Sequence, residues 1–344
     1  MSEPVLRDAG PDDDEAIAAL IGEAFPGNPK SRVEVLRWQY RENPFGEAVS
    51  RVWDEGGRIV AHYSAFPMPY LLDGAPAVAG NAVDAAVAPS HQGRRLFTPL
   101  ARALYEGCAA AGMPVAVCYA SNPIAMQGVA RAGVAWQPRL RTLVLAVDDA
   151  WLGRRFHVPA ALGGLVRRTA FGLGRGPAGD ELGGLPDGID GLWSHVRRDV
   201  EGGVGNGVDR GEGWCRRRYE ASPVGGYRYV AVERGGALAG LAVVLEREDF
   251  GGRFAYVLEL QAVDPDAARA VLRGVAGFGG ISGIATVAVD GGPLHRLATA
   301  AGMRTLPKRL EPKGGAWYGL VDTTGGGRDV AAPWHVGWGD MDHL

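Results

Sequence analysis

Apolar positions in the first quarter of the chain recur at helical and then at strand spacing. Ile17, Leu20, Ile21 and Phe25 share one face of a helix expected over residues 12–25, with Asp12, Asp13 or Asp14 available to cap it. A second helical stretch from Ser31 to Tyr40 ends at the Asn43–Pro44 turn. Two strands follow, Ser50–Trp53 and Ile59–Phe66, joined by the hairpin signal DEGG at 54–57. Asp73 and Gly74 mark another turn before an apolar run, Val78–Val87, that stops at Pro89. Leu96, Leu100, Leu104 and Cys108 then define a helix face. Pro114–Tyr119 reads as a short buried strand, and a helix over 124–132 starts behind Ser121, Asn122 and Pro123 and closes at Gly133. The order α-α-β-β-β-α-β-α predicts an α/β fold, a mixed sheet with helices on both faces.

The pattern then repeats. Residues 151–186 are rich in Gly and Arg and read as a linker with one helix, over 159–171. Beyond it, Tyr219 with Pro223 and Gly235–Gly236 stands at the same offset from Tyr40, Pro44 and Gly56–Gly57. Val87 and Pro89 recur as Val263 and Pro265, and Gly133 with Pro138 and Arg139 as Gly302 with Pro307 and Lys308. Matches in the same order indicate a tandem duplication, with domains at 1–150 and 187–344 and an acidic, aromatic tail. The copies differ after the valine: Asp266 opens the second helix without a Gly-rich turn, and its carboxylate repels phosphate there. The second copy is expected to be degenerate and to bind no phosphate.

Composition narrows the function classes. The chain of 344 residues is 47% hydrophobic and 22% charged, with net charge −3, which fits a soluble globular protein and gives no electrostatic footprint for DNA. No apolar run reaches membrane-spanning length, and the first residues lack a secretory pattern. Cys108, Cys118 and Cys215 are scattered, suit a reducing cytoplasm and offer no metal spacing. Gly172, Gly174 and Gly176 lie in the linker without a preceding strand, so they are no dinucleotide fingerprint. Arg216, Arg217 and Arg218 read as a surface basic run.

The most informative segment is VAPSHQGRRLFT at 87–98. A short Gly/Arg turn between a strand and a helix aims free N–H groups and the positive helix end at one point, the chemistry of a pyrophosphate site. The segment resembles the acyl-CoA loop of the GNAT N-acyltransferases, Q/R-x-x-G-x-G/A, with Arg95 and Phe97 at the two glycine positions. Asn122 and Ala125, followed by Gly133, are similar to the family's second CoA-contacting segment. The resemblance covers most of the chain as two GNAT repeats. It implies acetyl-CoA or another acyl-CoA as co-substrate and no metal. The residues it assigns to CoA are Ala85, Ala86, Val87, Gln92, Gly93, Arg94, Arg95, Leu96, Phe97, Thr98, Asn122 and Ala125. A non-Gly residue at position 95 does not easily give positive φ, so Arg95 is expected to act through its guanidinium on a phosphate.

Aminolysis of a thioester needs a neutral amine, a polarised carbonyl and a proton for the thiolate. Asp84, the only carboxylate in the central strand, is the acid/base candidate. Many relatives place a proton-donating Tyr where this chain has Val129, so Tyr119 is the substitute acid. His62 and Asn81, on neighbouring strands, are expected to face the acceptor. The tail adds Asp340, Asp342 and the carboxylate of Leu344. It resembles that of the enhanced intracellular survival acetyltransferases, whose chain terminus enters the active site, and such carboxylates suit a cationic amine.

The resulting expectation is a cytoplasmic N-acyltransferase, monomer or homodimer, acting on a small-molecule amine held in the cleft between the copies. The tail and entry motifs are also similar to tandem GNAT proteins of surface-polysaccharide and natural-product clusters, so a natural-product or sugar amine is one expected acceptor. Two alternatives stand beside it: an inactive GNAT-like scaffold, and a GNAT-like transferase using aminoacyl-tRNA, although RNA binding is not expected.

Overall fold

The computed structural model describes residues 3–120, 123–157, 159, 162–165, 169, 171–199, 204–311, 316–327 and 334–341. In chain order the first half runs β1 (Val5–Asp8), α1 (Asp14–Ala24), α2 (Val33–Tyr40), β2 (Val49–Glu55), β3 (Arg58–Leu72), β4 (Ala75–Val87), α3 (Phe97–Ala110), β5 (Val115–Ala120), α4 (Pro123–Ala130), β6 (Ala135–Trp136) and β7 (Arg141–Ala146). Then come α5 (Asp149–Phe156), β8 (Asp180–Leu182), α6 (Ile189–Asp199), β9 (Asn206–Val208), α7 (Glu212–Cys215), β10 (Tyr227–Arg234), β11 (Ala237–Asp249), β12 (Gly252–Ala262) and α8 (Pro265–Ala276). The chain closes with β13 (Gly283–Ala288), α9 (Pro293–Ala300), β14 (Arg304–Thr305), β15 (Trp317–Asp322) and β16 (Trp334–His335).

The α/β expectation holds: two mixed sheets carry helices on their faces. Their main strand orders are β1-β2-β3-β4-β5-β15-β6 and β14-β7-β13-β12-β11-β10-β8. In each, an antiparallel meander meets one parallel neighbour, β5 beside β4 and β13 beside β12. Both hairpins turn on adjacent glycines at positive φ, 64° and 92° at Gly56 and Gly57, 57° and 78° at Gly235 and Gly236, as a two-residue hairpin turn requires.

A cut of the chain at 150 does not separate the sheets. Strand β7, from the first segment, lies antiparallel between β13 and β14 of the second sheet, and β15, from the last segment, lies antiparallel between β5 and β6 of the first. The halves exchange one strand each. One buried cluster also runs through both, joining Tyr70, Leu71 and Val117 to Trp193, Trp214, Tyr219, Leu258 and Trp334. Segment 151–186 is more than a linker: it contributes α5, and β8 edges the second sheet against β10. Of the helix expected over 159–171, residues 162–165 and 169 are helical, and 160, 161, 166–168 and 170 lie outside the described residues. Among the described residues no helix is long and apolar enough to cross a membrane.

Candidate active site

Strands β4 and β5 pair only through Gly80–Ala82 against Ala116–Cys118 and then separate. On its other edge β4 has a bulge: pairing with β3 jumps between His62 and Ser64, leaving Asp84 and Ala85 opposite Tyr63 alone. Asp84 adopts φ 59°, a left-handed conformation uncommon for a non-Gly residue. Splay and bulge together free backbone groups of residues 83–86 from the ladder and open a pocket of ≈ 420 Å³. Its walls include Tyr63, Ala82, Asp84, Ala85, Phe97, Cys118, Tyr119, Ala125 and Val129.

The Asp84 side chain, 6% exposed, turns to a cation and a hydroxyl. Lys30 Nζ donates to Oδ2 at 2.7 Å, and Tyr40 OH donates to the same oxygen. Oδ1 has no protein partner among the described residues. Burial works against both charges. In Asp84 the Lys30 ammonium and the Tyr40 hydroxyl outweigh it and hold the carboxyl below its ordinary range, whereas in Lys30 burial prevails and lowers the pKa. Lys30, in a turn after Pro29, gave no sequence signal, and Tyr40, at a helix end, was marked only by its recurrence as Tyr219.

His62 does not face an acceptor, contrary to expectation. It lies fully buried beneath the bulge, where its Nδ1 donates to the Asp84 carbonyl at 3.0 Å, and burial pushes its pKa down to about 4. The neutral ring thus takes the carbonyl that the bulge removed from the sheet. Tyr119 lines the pocket and neighbours Tyr70; burial keeps its hydroxyl protonated well above the usual range.

A second cavity, ≈ 980 Å³, follows the turn after β4 and shares Ala85, Phe97 and Ala125 with the pocket. The turn keeps its shape without the two glycines: Gly93 has φ 79° and Arg95 itself adopts φ 62°. Arg95 thus takes the backbone a glycine would, at a cost of about 1–2 kcal/mol. Phe97 fits because Gly128 on α4 leaves room; a Cβ at Gly128 would lie 2.4 Å from the Phe97 ring. Thr98 Oγ1 donates to the Gly128 carbonyl at 3.3 Å, and Trp53 Nε1 donates to the Leu96 carbonyl at 2.9 Å. His91, a residue the sequence reading passed over, anchors the turn against Glu55 at 3.3 Å.

Helix α3 begins with Leu96 as N-cap and no side-chain cap, so the N–H groups of Phe97 and Thr98 remain available to an anion. Val87, Gln92, Gly93, Arg95, Leu96, Phe97 and Thr98 all line this cavity. Arg94 does not line it and is exposed. Ala86 points away from it and is buried against α1 and α2. Asn122 lies outside the described residues, as do Asp342 and Leu344.

A third cavity, ≈ 50 Å³, sits where the halves meet, lined by Trp38, Asn43, Phe66, Met68 and Asn81 from one side and Trp214, Arg217, Arg218 and Gly339–Met341 from the other. Asn81 is buried here and its Nδ2 donates to the Asp340 carbonyl at 3.3 Å. The Asp340 carboxylate is not free for substrate: Arg210 Nη2 donates to both its oxygens at 2.6 Å, and burial raises its pKa. Arg216–Glu220 form one π-helical turn, so the arginines are not a surface run. Arg216 pairs with Glu212 and Glu220, Arg217 stacks 4.3 Å over the Trp38 ring, and Arg218 reaches the tail. Among the described residues no group of three His, Cys, Asp or Glu could hold a metal ion.

This combination, a bulged and splayed β4–β5 pair with an uncapped helix behind it, lies within the segment that a known family matches. Residues 5–129, little more than a third of the chain, match the model of the acetyltransferase (GNAT) domain family. No curated protein matches it in sequence. Solved structures share the fold of nearly the whole chain. A probable N-acyltransferase from Enterococcus faecalis V583 is 12% identical over 94% of this chain and 74% of that one, with TM-score 0.62. A GCN5-related N-acetyltransferase from Anabaena variabilis is 8% identical over 93% and 73%, with TM-score 0.64. Eis1 from Mycobacterium abscessus is 16% identical over 93% and 74%, with TM-score 0.55.

Proposed function

We propose that the chain transfers an acyl group, acetyl in the first instance, from acyl-CoA to the amine of a small molecule by direct attack on the thioester. The observation that carries this reading is the continuity of the two cavities: the uncapped start of α3 opens onto ≈ 980 Å³ of space that meets the ≈ 420 Å³ pocket at Phe97. Phosphates suit the Phe97 and Thr98 N–H groups and the Arg95 side chain. The unladdered β4 edge suits a pantetheine amide and the carbonyl that must be polarised. CoA would supply the activated acyl group as its thioester.

The amine enters from the opposite face, past Asn81. Asp84 Oδ1 receives an N–H of the amine and orients it. A carboxyl held below its ordinary range is a weak base, so the proton leaves through water rather than resting on Asp84. Lys30 and Arg218 add positive charge nearby, which favours the neutral, nucleophilic amine. Tyr119, protonated at all working pH values, is the group suited to protonate the departing thiolate.

The open pocket favours an enzyme over a scaffold. An aminoacyl-tRNA donor would call on arginines of the linker and of the second half, and two of the latter, Arg217 and Arg218, are engaged between the halves. Calorimetry with acetyl-CoA, CoA and longer acyl-CoAs, followed by turnover with an amine panel, tests the proposal: one molecule bound per chain and release of CoA are expected. No binding by any of them would refute it.

A further inference from the structure

The cavity between the halves is lined by two arginines that no carboxylate contacts among the described residues. Four cations lie around it. Lys30 is paired with Asp84, and Arg210 with Glu259 and Asp340. Arg218 donates to neutral groups only, the carbonyls of Gly339 and Met341, each at 3.3 Å, and the Tyr227 hydroxyl at 3.0 Å, while the charges of Glu259 and Asp340 reach it from further off. Arg217 donates to the Trp38 carbonyl and stacks on its ring, and the charge of the exposed Glu42 is the carboxylate that reaches it. A partly buried guanidinium that no carboxylate contacts can receive the anion of a ligand. Two further groups are left over in the same cavity. The Trp38 indole N–H and the Asn81 side-chain oxygen are buried and have no hydrogen-bond partner among the described residues.

We infer that the acceptor amine also carries a carboxylate, received in this cavity by Arg218, Arg217 and the Trp38 N–H. The inference rests on the acyltransferase reading for the word acceptor, but the anion site itself does not. A space of ≈ 50 Å³ between the halves has room for a carboxylate. Asn81 and Asp84 are three residues apart on β4, about 10 Å of strand, so the amine and the carboxylate are separated by several bonds. A cationic acceptor, which the tail carboxylates suggested in sequence, meets arginines instead.

The test is a tryptophan-fluorescence titration of the full chain with CoA present, because Trp38 and Trp214 line the cavity. The probes are 6-aminohexanoate and its uncharged analogue 6-aminohexanamide. The acid is expected to give a saturable change at a concentration about tenfold lower than the amide, and with acetyl-CoA a KM lower by about the same factor. Arg218→Gln should erase that preference and Arg218→Lys retain part of it, with circular dichroism checking that each variant folds. The two-ligand comparison on the unaltered chain needs no variant. Equal affinity for acid and amide, binding of neither, or a preference for 1,5-diaminopentane overturns the inference. Saturable, acid-selective binding without turnover of any acyl-CoA would refute the transferase reading and leave the carboxylate site standing.

Discussion

Both halves build a cation, a carboxylate and a tyrosine hydroxyl at the bulge of their central strand, and the two arrangements differ in what lies above them. In the first half Lys30 and Tyr40 meet Asp84; in the second Arg210 and Tyr219 meet Glu259. The second sheet has the matching bulge, a register jump between Val243 and Val244, and β12 likewise pairs with β13 over only three positions. Over Asp84 the strands open onto a pocket. Over Glu259 the tail closes them: Trp338 packs 4.3 Å from the Tyr256 ring, and a Cβ at Gly339 would fall 2.3 Å from Glu259 Oε1. The helices behind differ in the same sense. Helix α3 is uncapped, whereas Asp264 caps α8 by accepting from the Ala267 N–H at 2.7 Å. The sheet geometry is common to both halves; a tail and a cap decide which half keeps room for a ligand.

The comparison is broken most severely by giving α3 the second half's cap. Leu96→Asp places a carboxylate where it accepts from the Thr98 N–H and repels phosphate. We expect acetyl-CoA affinity by calorimetry to fall about 100-fold or more, roughly 3 kcal/mol. The mirror variant Asp264→Leu should leave that affinity within about twofold and the stoichiometry at one. If Leu96→Asp binds normally, the start of α3 is not the donor site.

Asp84→Asn comes next. It keeps the shape of the side chain and removes the charge that holds Lys30 and Tyr40. Steady-state kinetics should show kcat lower by about 100-fold with the acetyl-CoA Kd changed by less than about threefold. Glu259→Gln, its counterpart under the tail, should leave kcat within about twofold. Equal effects of the two substitutions would mean that Asp84 only supports the fold.

How far the sequence carried the comparison follows from what periodicity encodes. Helical spacing at Ile17 to Ile21 and the Gly pairs at 56–57 and 235–236 are local signals, and the corresponding elements lie where those signals put them. The exchange of β7 and β15 is not local. An antiparallel edge of six residues reads the same whichever sheet receives it. Asp84 was visible as a lone carboxylate in an apolar strand, but its partner Lys30 was not, because a lysine after Pro29 has the signature of a surface turn. Arg217 and Arg218 read as solvated for the same reason. Only the π-helical turn and the partner helix α2 show them to face inward.

Glu259 gives the comparison a pH axis. Its burial, opposed by Arg210, raises the carboxyl from its ordinary 4.5 to about 7. Between those values the folded chain holds a proton that the unfolded chain has released, so stability falls as pH rises. The contribution is fully present below 4.5 and is lost as pH passes 7. Urea unfolding of Glu259→Gln should lack this dependence, gaining roughly 1–3 kcal/mol on the unaltered chain between about pH 5 and about pH 8. Asp84 has the opposite sign, being held below its ordinary range, and its contribution is lost as pH falls through that lowered value. A Glu259→Gln difference that is flat with pH would show that Glu259 is ionised throughout, as Asp84 is.

The smallest effect concerns Arg95, where the loop departs from the family's glycine. Left-handed backbone at a non-Gly residue costs about 1–2 kcal/mol, and glycine loses about 0.5–1 kcal/mol of that gain through the freedom of its unfolded state. Arg95→Gly should therefore be neutral to about 1 kcal/mol more stable. The same substitution removes a guanidinium from the wall of the cavity that follows β4. If that group pairs with a phosphate, acetyl-CoA binding weakens about threefold to tenfold, and the salt dependence of binding flattens because one screened charge pair is gone. Higher stability with weaker, less salt-sensitive binding means that Arg95 holds a strained backbone in exchange for a phosphate contact. Higher stability with tighter binding means that the arginine obstructs the loop, and the first half would then be following the second toward closure.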